Sequence, residues 1–137
     1  MAVLAHLKMP AKLENLGRFI ESVSGCAKAR GFEQEEISKI ELAAEEALVN
    51  IFRYAYPERT GDVEMTCKVE EGRFILEITD AGIPFDLTTM PEPNVTASIQ
   101  ERETGGLGIF FIKKMMDEVR YRRENDQNIL TLIIKKH

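Results

Sequence analysis

The sequence has few cysteines and no long apolar run, and each shortage argues against a class of protein. Its 137 residues contain two cysteines, Cys26 and Cys67, far apart and outside any Cys-x-x-Cys motif. This pattern argues against a disulfide scaffold and against a zinc site. The apolar runs fall short of the roughly 18 residues that a membrane-spanning helix needs. The N-terminal apolar stretch is interrupted by His6 and Lys8, which is not typical of a secretion signal.

Basic residues are not in excess either. The chain has 18 lysines and arginines against 23 aspartates and glutamates, which gives a formal net charge of −5. Such a balance does not favour direct binding to nucleic acid or to an anionic membrane surface. The length and the 44% share of apolar residues are typical of a single globular domain, here residues 1–137. We therefore expect one small, reduced, cytoplasmic domain.

Hydrophobic spacing divides the chain into five strands and three helices. Apolar residues recur every three or four positions in the segments that we predict to be helical, which are 13–30, 34–56 and 105–116. Short or alternating apolar segments predict strands over 2–9, 62–69, 73–79, 119–123 and 129–135. The order β-α-α-β-β-α-β-β predicts an α+β fold, a two-layer sandwich with an antiparallel-rich mixed sheet and helices on one face.

Residues 80–104 form a long segment with little regular pattern, and they include Pro84, Pro91 and Pro93. Irregular segments of this length are uncommon inside a compact domain and often have a function. The sequence leaves open whether the part from 86 to 104 closes over a bound ligand.

The first candidate motif is the pair Glu46 and Asn50 in the second predicted helix. A spacing of four residues places both side chains on one helix face, about one turn apart. The amide oxygen of an asparagine suits a hard cation such as Mg²⁺, and a nearby glutamate can accept a proton from a nucleophile. Glu45 points roughly 140° away from Asn50 and fits this role less well. The plain alternative is a solvated helix face.

The second candidate motif starts at Asp80, directly after an apolar strand, and includes Gly82. A glycine lets the backbone pass close to a ligand. An ionised carboxylate only accepts hydrogen bonds, so it could pair with the amino group of adenine but would repel the carbonyl oxygen of guanine. The alternative is an ordinary Asp-x-Gly turn at the end of a strand.

The third candidate motif is Gly105-Gly106-Leu107-Gly108, at the start of the third predicted helix. Glycines let backbone N–H groups approach a polyphosphate, and a helix N-terminus favours negative charge. The spacing fits neither a P-loop nor a Rossmann fingerprint. A flexible loop with a helix cap is the alternative. Chance turns and caps explain each of the three motifs separately, but they explain the set poorly.

Together, the three motifs resemble those of the GHKL, or Bergerat-fold, ATPases, and more narrowly those of the small anti-sigma factor serine/threonine kinases of bacteria. The segment Glu46–Tyr56 matches the N box of that family, Asp80–Asp86 its adenine box, and Gly105–Ile109 its box at the lid and the following helix. The resemblance extends from about Leu13 to Lys135. It implies a histidine kinase-like ATPase domain.

The resemblance also implies a role for each motif. Asn50 would coordinate Mg²⁺ at the ATP phosphates, and Glu46 would be the general base toward a serine or threonine hydroxyl of a protein substrate. Asp80 would bind the amino group of adenine, with Gly82 allowing close approach. The other residues implied in nucleotide binding lie near the phosphates or, for the last of them, near the adenine: Gly105, Gly106, Leu107, Gly108 and Thr131.

For the whole protein, the resemblance implies an ATP-binding anti-sigma factor with serine/threonine kinase activity. Such a protein would bind a sigma factor, phosphorylate a STAS-domain anti-sigma factor antagonist and form a homodimer, without direct contact to nucleic acid or membrane. Two residues depart from the family pattern: Pro84 stands where many larger members have a second glycine, and Tyr54 replaces a histidine common in the kinases. The alternative hypothesis is a non-catalytic, ATP-dependent protein-binding switch, which would not need Glu46.

Overall fold

The computed structural model of the protein describes residues 2–89 and 106–136. Within these residues, five strands and three helices follow one another in the predicted order, with 3-10 turns at Leu13–Asn15 and Leu87–Thr89. The strands are β1 (Ala2–Pro10), β2 (Asp62–Glu70), β3 (Arg73–Asp80), β4 (Glu118–Glu124) and β5 (Gln127–Lys135). The helices are α1 (Leu16–Ala29), α2 (Gln34–Tyr54) and α3 (Gly106–Met115). None of these described helices has the length and apolar character that a membrane crossing requires.

The strands form one sheet in the order β1-β2-β3-β5-β4, and all four pairings are antiparallel. The predicted α+β class is therefore confirmed. The sheet contains no parallel pair among the described strands, so "mixed" is replaced by fully antiparallel. β5 follows β4 through a tight turn and enters the sheet between β3 and β4, which makes it an inner strand.

One face of the sheet packs against the helices, as predicted. Alternate residues of the strands point to this face, and they join apolar residues of the helices in a single core. From the inner strands this core includes Leu76, Ile78, Leu130 and Leu132. Because all the described helices lie on this face, a site can form where their ends meet the ends of the strands.

The end of α2 lies against the loop that follows β3. The N–H of Ile83 donates to the C=O of Ala55 (2.9 Å), directly after the last residue of the helix. The ring centroids of Tyr54 and Phe85 are 5.2 Å apart. The predicted end of α2 before Pro57 is confirmed, and this end holds the start of the long loop in place.

Candidate functional site

Asn50 is almost completely buried on α2, with 3% of its surface exposed. Its Nδ2 donates to the backbone C=O of Glu46 (2.7 Å), one helical turn earlier. Its Oδ1 is buried and has no hydrogen-bond partner among the residues that the structure describes. An unsatisfied buried oxygen costs roughly 1–3 kcal/mol, and native structures contain few of them without a functional reason. The oxygen is therefore a candidate ligand for a cation, as the sequence predicts for this residue.

Glu46 is partly buried on the same side of α2 as Asn50. Burial raises the pKa of its carboxyl group, the charge of Glu45 raises this pKa further, and the charge of Arg53 lowers it. A carboxylate with a raised pKa is a better proton acceptor than an ordinary one. Glu46 is therefore a stronger candidate for a general base than Glu45, which is exposed.

Asp80 is the last residue of β3 and is 4% exposed. Its Oδ1 accepts two hydrogen bonds, from the N–H of Gly82 (2.9 Å) and from Nδ2 of Asn128 (2.9 Å). Within the described part of the chain, no hydrogen bond reaches Oδ2. Burial raises the pKa of this carboxyl group, while Asn128, Gly82 and the positive charge of Arg123 lower it. One oxygen is fixed by the protein, and the other is free to accept a bond from a ligand.

Asn128 is a residue of this site that the sequence interpretation missed. It is 4% exposed and lies opposite Asp80 in the antiparallel pair of β3 and β5. The sequence predicted β5 to begin at Ile129 and assigned Asn128 to a turn. The actual turn is shorter, because Asn125 and Asp126 both have positive φ values, 51° and 61°. Two such residues form the tight hairpin turn, so the strand starts earlier and Asn128 points toward the helices.

The structure does not bring Thr131 together with Asp80. Thr131 pairs with Glu77, three residues along β5 from Asn128. Side chains of a strand alternate between the faces of the sheet, so a separation of three residues places the two on opposite faces. Thr131 therefore lies on the face opposite the described helices and Asp80, and its role near the adenine remains a prediction.

The structure explains why position 82 is a glycine, and the explanation differs from the predicted one, which was a close approach to a ligand. A Cβ atom at this position would lie 2.2 Å from the backbone oxygen of Ala55. This distance is far below any normal contact, so a side chain would push the loop away from the end of α2. The glycine is required by the contact between the loop and the helix, and its place next to the ligand remains a prediction.

The third motif is described in part. Gly105 lies outside the described residues, and of Gly106, Leu107 and Gly108 only the helical backbone at the start of α3 is described. The helix begins at this motif, as the sequence predicts. The helix packs against α2, and Nζ of Lys113 donates to the C=O of Thr88 (2.8 Å) in the 3-10 turn after the loop. α2, the loop after β3 and α3 therefore meet, whereas residues 90–104 of the expected lid lie outside the described ranges.

An antiparallel sheet with helices packed on one face is the fold of a known class of domain. The family of the histidine kinase-like ATPase domain matches residues 9–134, which is most of the chain. The protein belongs to this family.

Similar proteins are found in bacteria. The chain is 25% identical over 129 residues to the serine-protein kinase RsbW of Bacillus thuringiensis and to that of Bacillus anthracis, covering 91% of this chain and 81% of theirs. A solved structure of the RsbU and RsbW domains of Rv1364c from Mycobacterium tuberculosis superimposes with a TM-score of 0.68 at 13% identity, covering 97% of this chain and 33% of that one. The SiaB–SiaC complex from Pseudomonas aeruginosa gives 0.61 at 15% identity, with 96% and 89% covered. These two structures support the fold.

Proposed function

We propose that this protein is an ATP-binding anti-sigma factor with serine/threonine kinase activity. Membership of the histidine kinase-like ATPase family supports binding of ATP. The relatives named serine-protein kinases support transfer of its phosphoryl group to a protein. The observation that carries the proposal is the pair on α2, in which Asn50 follows Glu46 by one helical turn and has a buried amide oxygen without a partner among the described residues.

The Asn50 oxygen fits a magnesium ion. Mg²⁺ prefers oxygen ligands and is commonly held by one or two protein oxygens together with substrate phosphates. A neutral amide supplies such an oxygen without adding negative charge next to the phosphates. When bound, the ion would offset the charge that develops on the phosphoryl oxygens. Asn50 would hold it, because its oxygen has no other partner in the described residues.

Glu46 would act on the protein substrate. The oxygen of a serine or threonine hydroxyl attacks the γ-phosphorus of ATP and forms the new P–O bond. The bond between this phosphorus and the oxygen that bridges to the β-phosphate breaks, and ADP leaves with that electron pair. The hydroxyl proton passes to the Glu46 carboxylate, whose raised pKa suits it to receive the proton.

The base and the phosphates would be bound by the other two motifs. Asp80 Oδ2, which has no protein partner in the described chain, would accept a hydrogen bond from the adenine amino group. The backbone N–H groups at Gly106–Gly108, where α3 begins, would face the phosphates, since the N-terminus of a helix favours anions. Gly105 would extend this contact.

The proposed partners are proteins. A sigma factor would be held inactive, and a STAS-domain antagonist would be the substrate whose phosphorylation changes which partner is bound. We further propose that the protein is cytoplasmic and acts as a homodimer, and the mass of the purified protein in solution tests the latter.

The function is tested with Glu46→Gln and the matched control Glu45→Gln, assayed by transfer of radiolabelled phosphate to a purified STAS-domain protein. We expect Glu46→Gln to reduce the transfer rate at least about 100-fold, because a general base contributes about this much. MgATP affinity should stay unchanged in both variants, and Glu45→Gln should lose far less of the transfer rate, because it removes only the second of the two influences that raise the pKa of Glu46. The wild-type rate should also fall as the pH drops through the raised pKa of Glu46. Transfer by Glu46→Gln at the wild-type rate would contradict the assignment of the base.

The second candidate function is a switch that binds ATP and sequesters a partner without catalysis. It is favoured by Tyr54, which stands where the kinases commonly have a histidine and whose ring packs against Phe85. In the same assay, a switch of this kind would leave every STAS-domain partner unlabelled while ATP still changed the affinity for that partner.

A further inference from the structure

We propose that Asn128 is a positioning residue for nucleotide recognition, whose amide holds the Asp80 carboxyl group as a hydrogen-bond acceptor for the exocyclic amine of a purine. The inference rests on the proposed ATP-binding function and adds a residue that determines which base the site accepts. Asn128 and Asp80 are directly paired in the sheet, and both are about as buried as a core residue.

Four hydrogen bonds hold the Asn128 amide. Its Nδ2 donates to Asp80 Oδ1 (2.9 Å) and to the C=O of Ile83 (2.7 Å). Its Oδ1 accepts from the N–H of Phe85 (3.2 Å) and from the hydroxyl of Tyr121 (2.5 Å). Both hydrogens of the amide nitrogen and both lone pairs of the oxygen are therefore used.

Two of these partners are backbone groups, and they leave the amide only one orientation. The N–H of Phe85 can only donate a hydrogen bond, and the C=O of Ile83 can only accept one. A rotation of the Asn128 amide by 180° would face N–H against N–H and oxygen against oxygen. Nitrogen, rather than oxygen, must therefore point to Asp80.

This orientation determines where Asp80 can hold a proton. Oδ1 already accepts hydrogen bonds from Asn128 and from the N–H of Gly82, so it has no place for a proton of its own. Oδ2 remains for the ligand. In the ionised carboxylate, Oδ2 accepts a bond from the amine of adenine and opposes the carbonyl oxygen of guanine. A site built to bond a specific polar group discriminates strongly against an analogue that lacks it.

Few other charges act on Asp80. Arg123 of β4 donates to the C=O of Gly82 (2.8 Å), and its positive charge favours the ionised carboxylate. The hydroxyl of Tyr56, after the end of α2, is the other titratable group with an electrostatic interaction with Asp80 in the described chain. Without the Asn128 nitrogen, Gly82 and Arg123 alone would oppose the effect of burial on the carboxyl group.

The variant Asn128→Asp tests the proposed role of Asn128, because it replaces the side-chain NH₂ group with an oxygen. Phe85 and Tyr121 keep an acceptor, but Asp80 Oδ1 then faces a second carboxyl oxygen. We expect the pair to retain one proton, with an upward shift of the Asp80 titration by about 2 pH units or more. Carbon-13 NMR of the side-chain carboxyl groups, in the protein without nucleotide, measures this shift. At neutral pH, calorimetry should show at least about a tenfold loss of MgATP affinity and a smaller preference for MgATP over MgGTP.

The matched control is Tyr121→Phe, which removes one bond to the Asn128 oxygen and none to Asp80. Its Asp80 titration and its nucleotide affinities should stay within about twofold of wild type, since the two backbone groups still orient the amide. A second measurement needs no variant: in the wild-type protein, the side-chain amide protons of Asn128 should shift with pH at the Asp80 titration.

Three outcomes would overturn the inference. They are an unchanged Asp80 titration in Asn128→Asp, unchanged nucleotide affinities in that variant, and wild-type amide protons that ignore the Asp80 titration. If the wild-type protein bound no MgATP, the proposed function would be wrong, and the purine part of this inference would be wrong with it. Wild-type binding together with an unaffected variant would overturn this inference alone.

Discussion

Asn50 and Asn128 are almost equally buried, but their side-chain amides differ in the number of hydrogen bonds that they form within the chain. The sheet end around Asn128 satisfies both ends of the amide with four hydrogen bonds. Around Asn50, the described part of the chain satisfies only the nitrogen and leaves the oxygen without a partner. A buried polar side chain whose partners are all in the chain holds the structure in place. One that lacks a partner keeps an atom available for a ligand, at a cost in stability.

The largest effect on stability should come from Asn128→Ala. The substitution leaves the N–H of Phe85 and the C=O of Ile83 without their partner, so we expect the free energy of unfolding to fall by about 3 kcal/mol. Urea denaturation measures this change. The control Gln127→Ala, at the exposed neighbouring position, should stay within about 0.5 kcal/mol of wild type. An equal effect of the two substitutions would contradict the structural role of Asn128.

A somewhat smaller loss should follow from Gly82→Ala, which belongs to the same end of the sheet. The new Cβ overlaps the backbone oxygen of Ala55, so the loop must shift, and we expect a destabilisation of about 2 kcal/mol. Thermal unfolding detects it. The matched control is Gly25→Ala in α1, where a Cβ atom meets nothing within 4 Å. There, alanine should stabilise the helix by about 0.5–1 kcal/mol. A stable Gly82→Ala protein would show that the loop does not depend on this contact.

Asn50→Ala should change the stability by less than about 1 kcal/mol, because its removal leaves no other polar group unpaired. The C=O of Glu46 keeps its ordinary helical hydrogen bond. MgATP affinity should nevertheless fall at least about tenfold, as is typical when the environment of a metal ion is damaged. Denaturation without nucleotide and calorimetry with it separate the two effects. A large loss of stability with intact affinity would reverse the comparison between the two asparagines.

The smallest effect should be the pH dependence that Asp80 contributes. Burial raises the pKa of its carboxyl group, so the folded state holds this proton more strongly than the unfolded state does. The contribution of Asp80 to stability is therefore complete below the ordinary carboxyl pKa of about 3.9 and is lost as the pH rises through the raised value. Unfolding of wild type and of Asp80→Asn across this range measures it. The variant should gain stability relative to wild type as the pH rises, and a trend of the opposite sign would contradict this prediction.

Much of the fold is predictable from the sequence, because periodicity is a local property. The spacing of apolar residues placed α1, α2 and the strands within a few residues of their observed bounds. The insertion of β5 between β3 and β4 was not predictable in this way, because strand order depends on contacts between distant segments. The start of β5 was missed for a related reason: the positive φ values of Asn125 and Asp126 are a property of one hairpin turn, and the residue types alone also fit a longer turn.

The candidate site likewise contains residues that the sequence could identify and residues that it could not. Glu46, Asn50 and Asp80 could be chosen by their spacing and by their position after a strand or on a helix. Asn128 could not, since its side chain enters the site only if the strand begins two residues earlier than predicted. The face on which Thr131 lies was not predictable either, because it follows from the pairing of β5 with β3, which places Thr131 opposite Glu77 and on the other face from Asp80.

The inner position of β5 also bears on how the protein reaches its folded state. Residues 128–135 of this strand pair with residues 73–80 of β3, and about fifty residues of chain separate the two segments. During synthesis, β1, β2 and β3 emerge well before the strand that completes their sheet, so the Asp80–Asn128 pair cannot form until β5 has emerged. A ribosome-bound intermediate that ends before β5 should therefore be unable to bind nucleotide, although it already carries Glu46, Asn50 and Asp80.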